Sequence, residues 1–261
     1  MAQQKNNIEI VGRANRSKES PHDNTSPQGR WDFNEEVANV FTDMLERSIP
    51  DYMTMRKLVW KVADYFIKPN TRFVDLGCAN GLAAEGIIAN HSKEVLSYLY
   101  DCSEPMLEQC REHYKKQIEE GSVIVQNLDL REHPIGWGKF CGGCSVIMSC
   151  LTLQFVPIEY RQGILENVFD CLNKGGAFIL TEKVLGNSAQ LDNLFNTIYY
   201  DMKRENQYTE EQISNKRKSL EGVLSPLTEE MNVSMLRMAG FRKIDTFWRN
   251  LNFCGIIAIK N

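Results

Sequence analysis

Apolar residues recur at helical spacing through residues 33–47, where Phe33, Val37, Val40, Phe41, Met44 and Leu45 share one side. Pro50 stops that helix. A second helix is predicted over about 52–67, with Met55, Leu58, Val59, Val62 and Phe66 in a stripe. The period then changes. Short apolar runs predict strands at 72–76, 95–100, 123–126, 145–149 and 177–181. Helical patterns separate them at 81–90, 104–119 and 158–173, and a Gly175-Gly176 turn leads into the fifth strand. Two long polar helices are expected within 188–223, then a helix at about 227–239 ending at Gly240, then strands at 243–248 and 253–259.

Strands alternating with helices imply βαβ units and a parallel sheet. The expected fold is α/β and Rossmann-like: a mostly parallel seven-stranded sheet whose last strand is antiparallel, with N-terminal helices and a helical insertion at about 188–223. No internal repeat or linker divides residues 31–261, which read as one domain. Residues 1–30 are polar and rich in Asn and Ser, and read as a tail without a core of its own.

Composition narrows the class. The 261 residues are 43% hydrophobic and 25% charged, enough to build a core without staples. No apolar run approaches the roughly 18 residues of a membrane span, so no membrane partner is expected. The N-terminus lacks the apolar core of a secretory signal, and a cytoplasmic location is expected. Net charge is −4 with a pI of about 5.7, which argues against grip on nucleic acid through a broad basic field. The eight cysteines are expected to be reduced thiols, and the Cys141-Gly-Gly-Cys144 pair lacks a second ligand pair, so no metal is expected.

Candidate chemistry begins at Val74-Asp75-Leu76-Gly77-Cys78-Ala79-Asn80-Gly81, the first strand-to-helix turn. Such a turn usually lines the binding crevice of an open α/β sheet. A dinucleotide site would show GxGxxG for its pyrophosphate. The GxxxG here suits a ligand with an amino-acid end and no phosphates. Asp101, at the end of the second strand, can accept two ribose hydroxyls. Its other reading is a helix cap, but Ser103 is the better cap. Asp129, after the third strand, is a candidate acceptor for an adenine amine, or an ordinary loop acid. Together the three positions point to S-adenosyl-L-methionine (SAM).

Several segments carry a narrower signal: Phe33-Asn34-Glu35-Glu36-Val37-Ala38, Arg47-Ser48-Ile49-Pro50-Asp51-Tyr52, Leu151-Thr152-Leu153-Gln154-Phe155, Leu172-Asn173-Lys174-Gly175-Gly176-Ala177, Thr181-Glu182-Lys183 and Ile213-Ser214-Asn215-Lys216-Arg217. From about Trp31 to Lys260 the chain resembles the bacterial carboxy-S-adenosyl-L-methionine synthases, a family of the class I methyltransferase fold. The resemblance implies conversion of SAM into carboxy-SAM, with prephenate as carboxyl donor and phenylpyruvate released. Deprotonation of the sulfonium methyl gives an ylide that captures the carbon dioxide. A downstream tRNA-modifying enzyme then uses the product at wobble uridine, so this protein need not touch nucleic acid itself. The resemblance further implies ligand contacts from Tyr52, Gly77, Cys78, Ala79, Asp101, Cys102, Asp129, Leu130 and Cys150. It implies a homodimer in which Arg217 reaches the neighbouring subunit's site and holds the new carboxylate. A planar guanidinium suits that task, although residues alone read Arg217 as a cation on a solvated helix. Cys102 and Cys150 stand where the family usually has Asn. No side chain is assigned as the catalytic base.

Two other functions fit the same fold: an ordinary SAM-dependent methyltransferase acting on a small molecule or RNA, and a non-catalytic ligand sensor.

Overall fold

The computed structural model describes residues 30–132 and 143–261. The expectations for residues 1–29, His133 and Cys141 lie outside these. Strands β1 (Arg72–Leu76), β2 (Leu96–Asp101), β3 (Val123–Asn127), β4 (Cys144–Cys150), β5 (Leu172–Leu185), β7 (Lys243–Asn250) and β8 (Phe253–Ile259) form one sheet in the order β3-β2-β1-β4-β5-β8-β7. The two-residue β6 (Leu227–Thr228) pairs with the end of β5. Only the last strand, β8, is antiparallel to its neighbours β5 and β7.

Helices cover both faces. On one lie α2 (Tyr52–Phe66), α3 (Glu85–His91) and α4 (Glu104–His113), packed on Phe73, Leu99, Val146 and Ile179. On the other, α6 (Ile158–Cys171) and α9 (Glu229–Met238) pack on Val74, Leu76, Ile147, Phe178 and Ile256. Successive side chains of β1 and β4 thus feed opposite cores, so both strands read as continuous apolar runs. Each such Leu, Ile or Phe contributes about 1.5–3 kcal/mol of burial. Four further helices lie among the described residues: α1 (Glu35–Ser48), capped by Asn34, the short α5 (Lys115–Glu119), and the pair α7 (Ala189–Glu205) and α8 (Glu210–Ser219) between β5 and β6. No helix among the described residues is long and apolar enough to cross a membrane.

Four element boundaries differ from the sequence reading. The helix expected at 104–119 breaks at Tyr114, whose buried hydroxyl donates to the Gly81 carbonyl at 2.8 Å. That anchor draws its backbone out of helical geometry, to φ −104° and ψ 19°. The helix expected from Gly81 opens as a 3-10 turn at Leu82–Ala84. Residues 227–228 pair as strand β6 before α9 starts, with Thr228 as its cap. Gly175-Gly176 is no turn before β5 but a register shift inside it. Gly175 N–H donates to Lys260 O at 2.7 Å and Gly176 O accepts from Lys260 N–H at 2.9 Å. A Cβ on Gly176 would meet the Ser145 carbonyl at 2.9 Å, so only glycine lets these strands approach.

The seven described cysteines are free thiols.

Candidate active site

A cavity of about 330 Å³ opens at the carboxyl ends of β1, β2 and β4, within the range of small-molecule sites. Its floor is the β1 turn. Gly77 has φ +79°, and a Cβ there would lie 2.1 Å from Thr152 Cγ2. Thr152 is itself tied down, its hydroxyl donating to Gly77 O at 3.2 Å. The N–H groups of Gly77 and Cys78 both donate to Tyr100 O, at 2.7 and 2.8 Å, which pins the turn to β2.

Asp101 ends β2 at the cavity wall. One carboxylate oxygen accepts the Ala79 N–H at 2.8 Å and the other the Ser103 N–H at 2.9 Å. Ser103 caps α4, accepting the Met106 N–H at 3.4 Å, so Asp101 is spared that task. It is not idle, however: the Ala79 and Ser103 N–H groups fix its plane, with the Cys102 backbone also acting on it. Burial raises its carboxyl above the usual range, against the pull of those N–H bonds. Asp75 nearby is fully buried, with no hydrogen-bond partner for either oxygen among the described residues, and burial followed by the Asp101 charge pushes its carboxyl well above the usual range.

The other expected residues separate into groups. Tyr52, Cys78, Ala79, Cys102, Asp129, Leu130 and Cys150 all line the cavity with Gly77 and Asp101. Tyr52 is buried at the first turn of α2, and burial raises its hydroxyl's pKa. Asp129 is gripped by Arg131, whose Nε lies 2.9 Å from both carboxylate oxygens, so any ligand amine must share this carboxylate. Cys150 Sγ lies 3.1 Å from Thr181 Oγ1, and burial pushes its thiol up to about 12. Cys102 is exposed, and burial of part of its surface followed by the Asp101 charge raises its thiol's pKa. Arg217 stands apart. It is exposed on α8 and does not line its own chain's cavity, whereas its neighbour Lys216 turns inward.

Residues to which the sequence reading gave no site role complete the cavity. Phe33 and Phe155 meet edge to face at 5.1 Å, and both line the cavity with Trp31 and Asp32 of the segment before α1. Phe33 O accepts from Ser103 Oγ at 2.5 Å, and Trp31 N–H donates to Ser219 O at 2.9 Å. The Leu153–Phe155 turn is held from beneath. Buried Arg161 donates from Nε to Val156 O at 2.7 Å and through its Nη2 to Ser225 O, also at 2.7 Å. Glu182 accepts from the Leu153 and Gln154 backbone, and Gln154 Oε1 accepts the Lys183 N–H at 2.6 Å. Burial raises the Glu182 carboxyl to about 8.

A methyltransferase-domain family profile matches residues 73–176, the span from β1 into β5. A carboxy-S-adenosyl-L-methionine synthase of Methylococcus capsulatus is 38% identical over 229 residues, 87% of this chain and 93% of that protein. One of Staphylococcus epidermidis is 38% identical over 233 residues, covering 88% and 97%. Among solved structures, an O-methyltransferase family protein from Burkholderia thailandensis matches with a TM-score of 0.60 at 14% identity, covering 87% of this chain and 60% of that one. Human N-acetylserotonin methyltransferase in complex with SAM matches with a TM-score of 0.56 at 15% identity, covering 87% and 55%. The chain thus spans little more than half the length of these structures, and the likeness is one of fold.

Proposed function

The chain belongs to the carboxy-S-adenosyl-L-methionine synthase family, and from that premise we propose that it is an enzyme converting SAM into carboxy-SAM with prephenate as carboxyl donor. The product would supply carboxymethylation of wobble uridine in tRNA by a downstream enzyme, and the work would be done in the cytoplasm. The observation that carries this reading is Asp101, a carboxylate with its plane fixed by Ala79 and Ser103 at the mouth of a cavity of suitable size. A carboxylate ending β2 suits ribose hydroxyls. Gly77, Cys78 and Ala79 would run beside the amino-acid end, and Leu130 would flank the base.

Bound SAM supplies a sulfonium methyl and no protein nucleophile is needed. Prephenate loses carbon dioxide and hydroxide as its ring aromatises to phenylpyruvate. The hydroxide leaves with a methyl proton as water, and the carbon dioxide joins the methyl carbon. The chain's part is to orient both molecules and exclude bulk water behind Phe33 and Phe155. Arg217 would hold the new carboxylate across a subunit boundary, since it is exposed on its own chain. The adjoining helix α7 presents exposed Leu191, Leu194 and Ile198, at helical spacing on one face, a surface suited to a second copy.

Purified protein incubated with SAM and prephenate should yield a nucleoside heavier than SAM by one carbon dioxide, with equimolar phenylpyruvate, by mass spectrometry. Cys102 and Cys150 in place of the family's Asn motivate one competing outcome. S-adenosylhomocysteine formed with a methylated acceptor, and no carboxylated nucleoside, would make this an ordinary methyltransferase.

A further inference from the structure

The cavity wall has a support behind it. The turn after β1 lines the cavity through Gly77, Cys78, Ala79, Asn80 and Ala83, and Tyr52 lines it from the first turn of α2. Arg56, one helical turn past Tyr52, lies outside that lining and is only 4% exposed. Its guanidinium carbon sits 5.6 Å from the centre of the Tyr52 ring and 4.9 Å from that of Trp60. Its Nη2 donates to the Leu82 carbonyl and pairs with Glu85 at 3.0 Å. Trp60, a further turn along α2, donates from Nε1 to the Ala83 carbonyl at 2.7 Å. A Cβ on Gly86 would lie 2.3 Å from the Trp60 ring, so glycine admits the indole there.

Two side chains of α2 thus hold the carbonyls of consecutive residues in the 3-10 turn that opens α3. Asn80 ties the same stretch to α1, its amide donating to Thr42 Oγ1 at 3.4 Å. A guanidinium is a costly part for such a clamp. Glu85 is half-exposed, and Arg56 Nε is buried with no acceptor among the described residues. Taking that charge out of water opposes folding, and ring contacts with one half-exposed ion pair return only part of the cost. Trp60 already fastens α2 to the turn, and an aliphatic residue at position 56 would fill the space without the charge. The guanidinium does what an aliphatic chain cannot: one rigid plane joins the Tyr52 ring to the Leu82 carbonyl. Its charge is also felt at the cavity wall. Burial raises both the Tyr52 hydroxyl and the Cys150 thiol, and in each the Arg56 charge opposes that rise.

We propose that Arg56 is a positioning residue for the nucleoside ligand, acting through Tyr52 and the Leu82 carbonyl to hold two walls of the cavity in one arrangement. This rests on the family reading, in which Tyr52 and the Gly77 turn touch SAM.

Binding of S-adenosylhomocysteine to the full-length protein tests it without turnover, by titration calorimetry across a double-mutant cycle. Arg56→Met keeps the stem and removes the guanidinium, and Tyr52→Leu removes the ring. Arg56→Met should weaken binding about tenfold in the wild-type background but less than about threefold beside Tyr52→Leu, because residues that act as a unit are not additive. Arg56→Lys should recover part of the loss, since it keeps the charge without the fork. Val168→Ala, in the core on the other face of the sheet, should lose stability yet keep wild-type affinity, which separates positioning from instability. Should Arg56→Met fail to fold, Arg56→Lys runs the same cycle with a smaller loss. Unchanged affinity in the Arg56 variants, equal losses in both backgrounds, or the same loss in Val168→Ala overturns the role. Coupled losses in a protein that makes no carboxylated nucleoside from SAM and prephenate keep the role and overturn the reaction. Product formation with additive losses does the reverse.

Discussion

Asp101 joins the turn after β1 to the start of α4 through one carboxylate, because its oxygens take the N–H of Ala79 and of Ser103 at the cavity wall. Asp101→Ala should therefore weaken SAM and carboxy-SAM alike, by about ten- to a hundredfold, since a charged acceptor is lost from both. Calorimetry with the two ligands measures this, and unchanged SAM affinity would remove Asp101 from the ribose role. Its place at the cavity was legible because the signal is local: an acid ending a strand, with a better cap two residues on. Gly77 was legible for the same reason. The cavity-lining lysines were not. Lys183, Lys203 and Lys216 come from three elements, and on polar helices a buried lysine and a solvated one look alike in sequence. At Lys216-Arg217 the residue pattern gives no hint which side chain turns inward.

Strand β5 ties the sheet to the site. Its Gly175-Gly176 register shift seats it between β4 and β8, and its far end carries Glu182 and Lys183 under the Leu153–Phe155 turn. Glu182 gives the strand a pH signature. Its carboxyl titrates near its ordinary 4.5 in the unfolded chain and at about 8 when folded. Between those values the folded state keeps a proton that the unfolded state has lost. This contribution to stability is full below about pH 4.5 and is lost as pH rises through about 8. Glu182→Gln cannot ionise, so the wild type should lose about 2 kcal/mol or more against this variant between pH 5 and pH 8. Urea unfolding at both values reads the difference, and parallel curves would show that Glu182 stays ionised throughout. Strand and helix identities were readable from period alone. The break at Tyr114 and the continuous β5 were not, because a tyrosine reaching Gly81 and a glycine facing the Ser145 carbonyl are contacts between distant segments.

At the scale of the whole molecule, an exposed Arg217 and a cavity that it does not line make a subunit-mixing experiment decisive. On the proposed reading, a two-fold dimer builds each site from Asp101 of one chain and Arg217 of the other. At SAM concentrations too low to saturate the weakened site, Asp101→Ala and Arg217→Ala proteins should each be nearly inactive in carboxy-SAM synthesis. Mixed and allowed to exchange subunits, they should recover up to about a quarter of wild-type activity, because half the dimers then hold one complete site. No recovery after verified exchange would confine Arg217 to its own chain. The helix pair α7 and α8 gives this arrangement a wider meaning. It enters between β5 and β6, contributes Lys203 and Lys216 to the cavity and displays Arg217 outside, while Asp101 and the Gly77 turn belong to the sheet. On the proposed reading, ligand recognition and choice of reaction lie in separable stretches of the chain, so exchanging one short helical module should redirect the scaffold to new chemistry without rebuilding its frame.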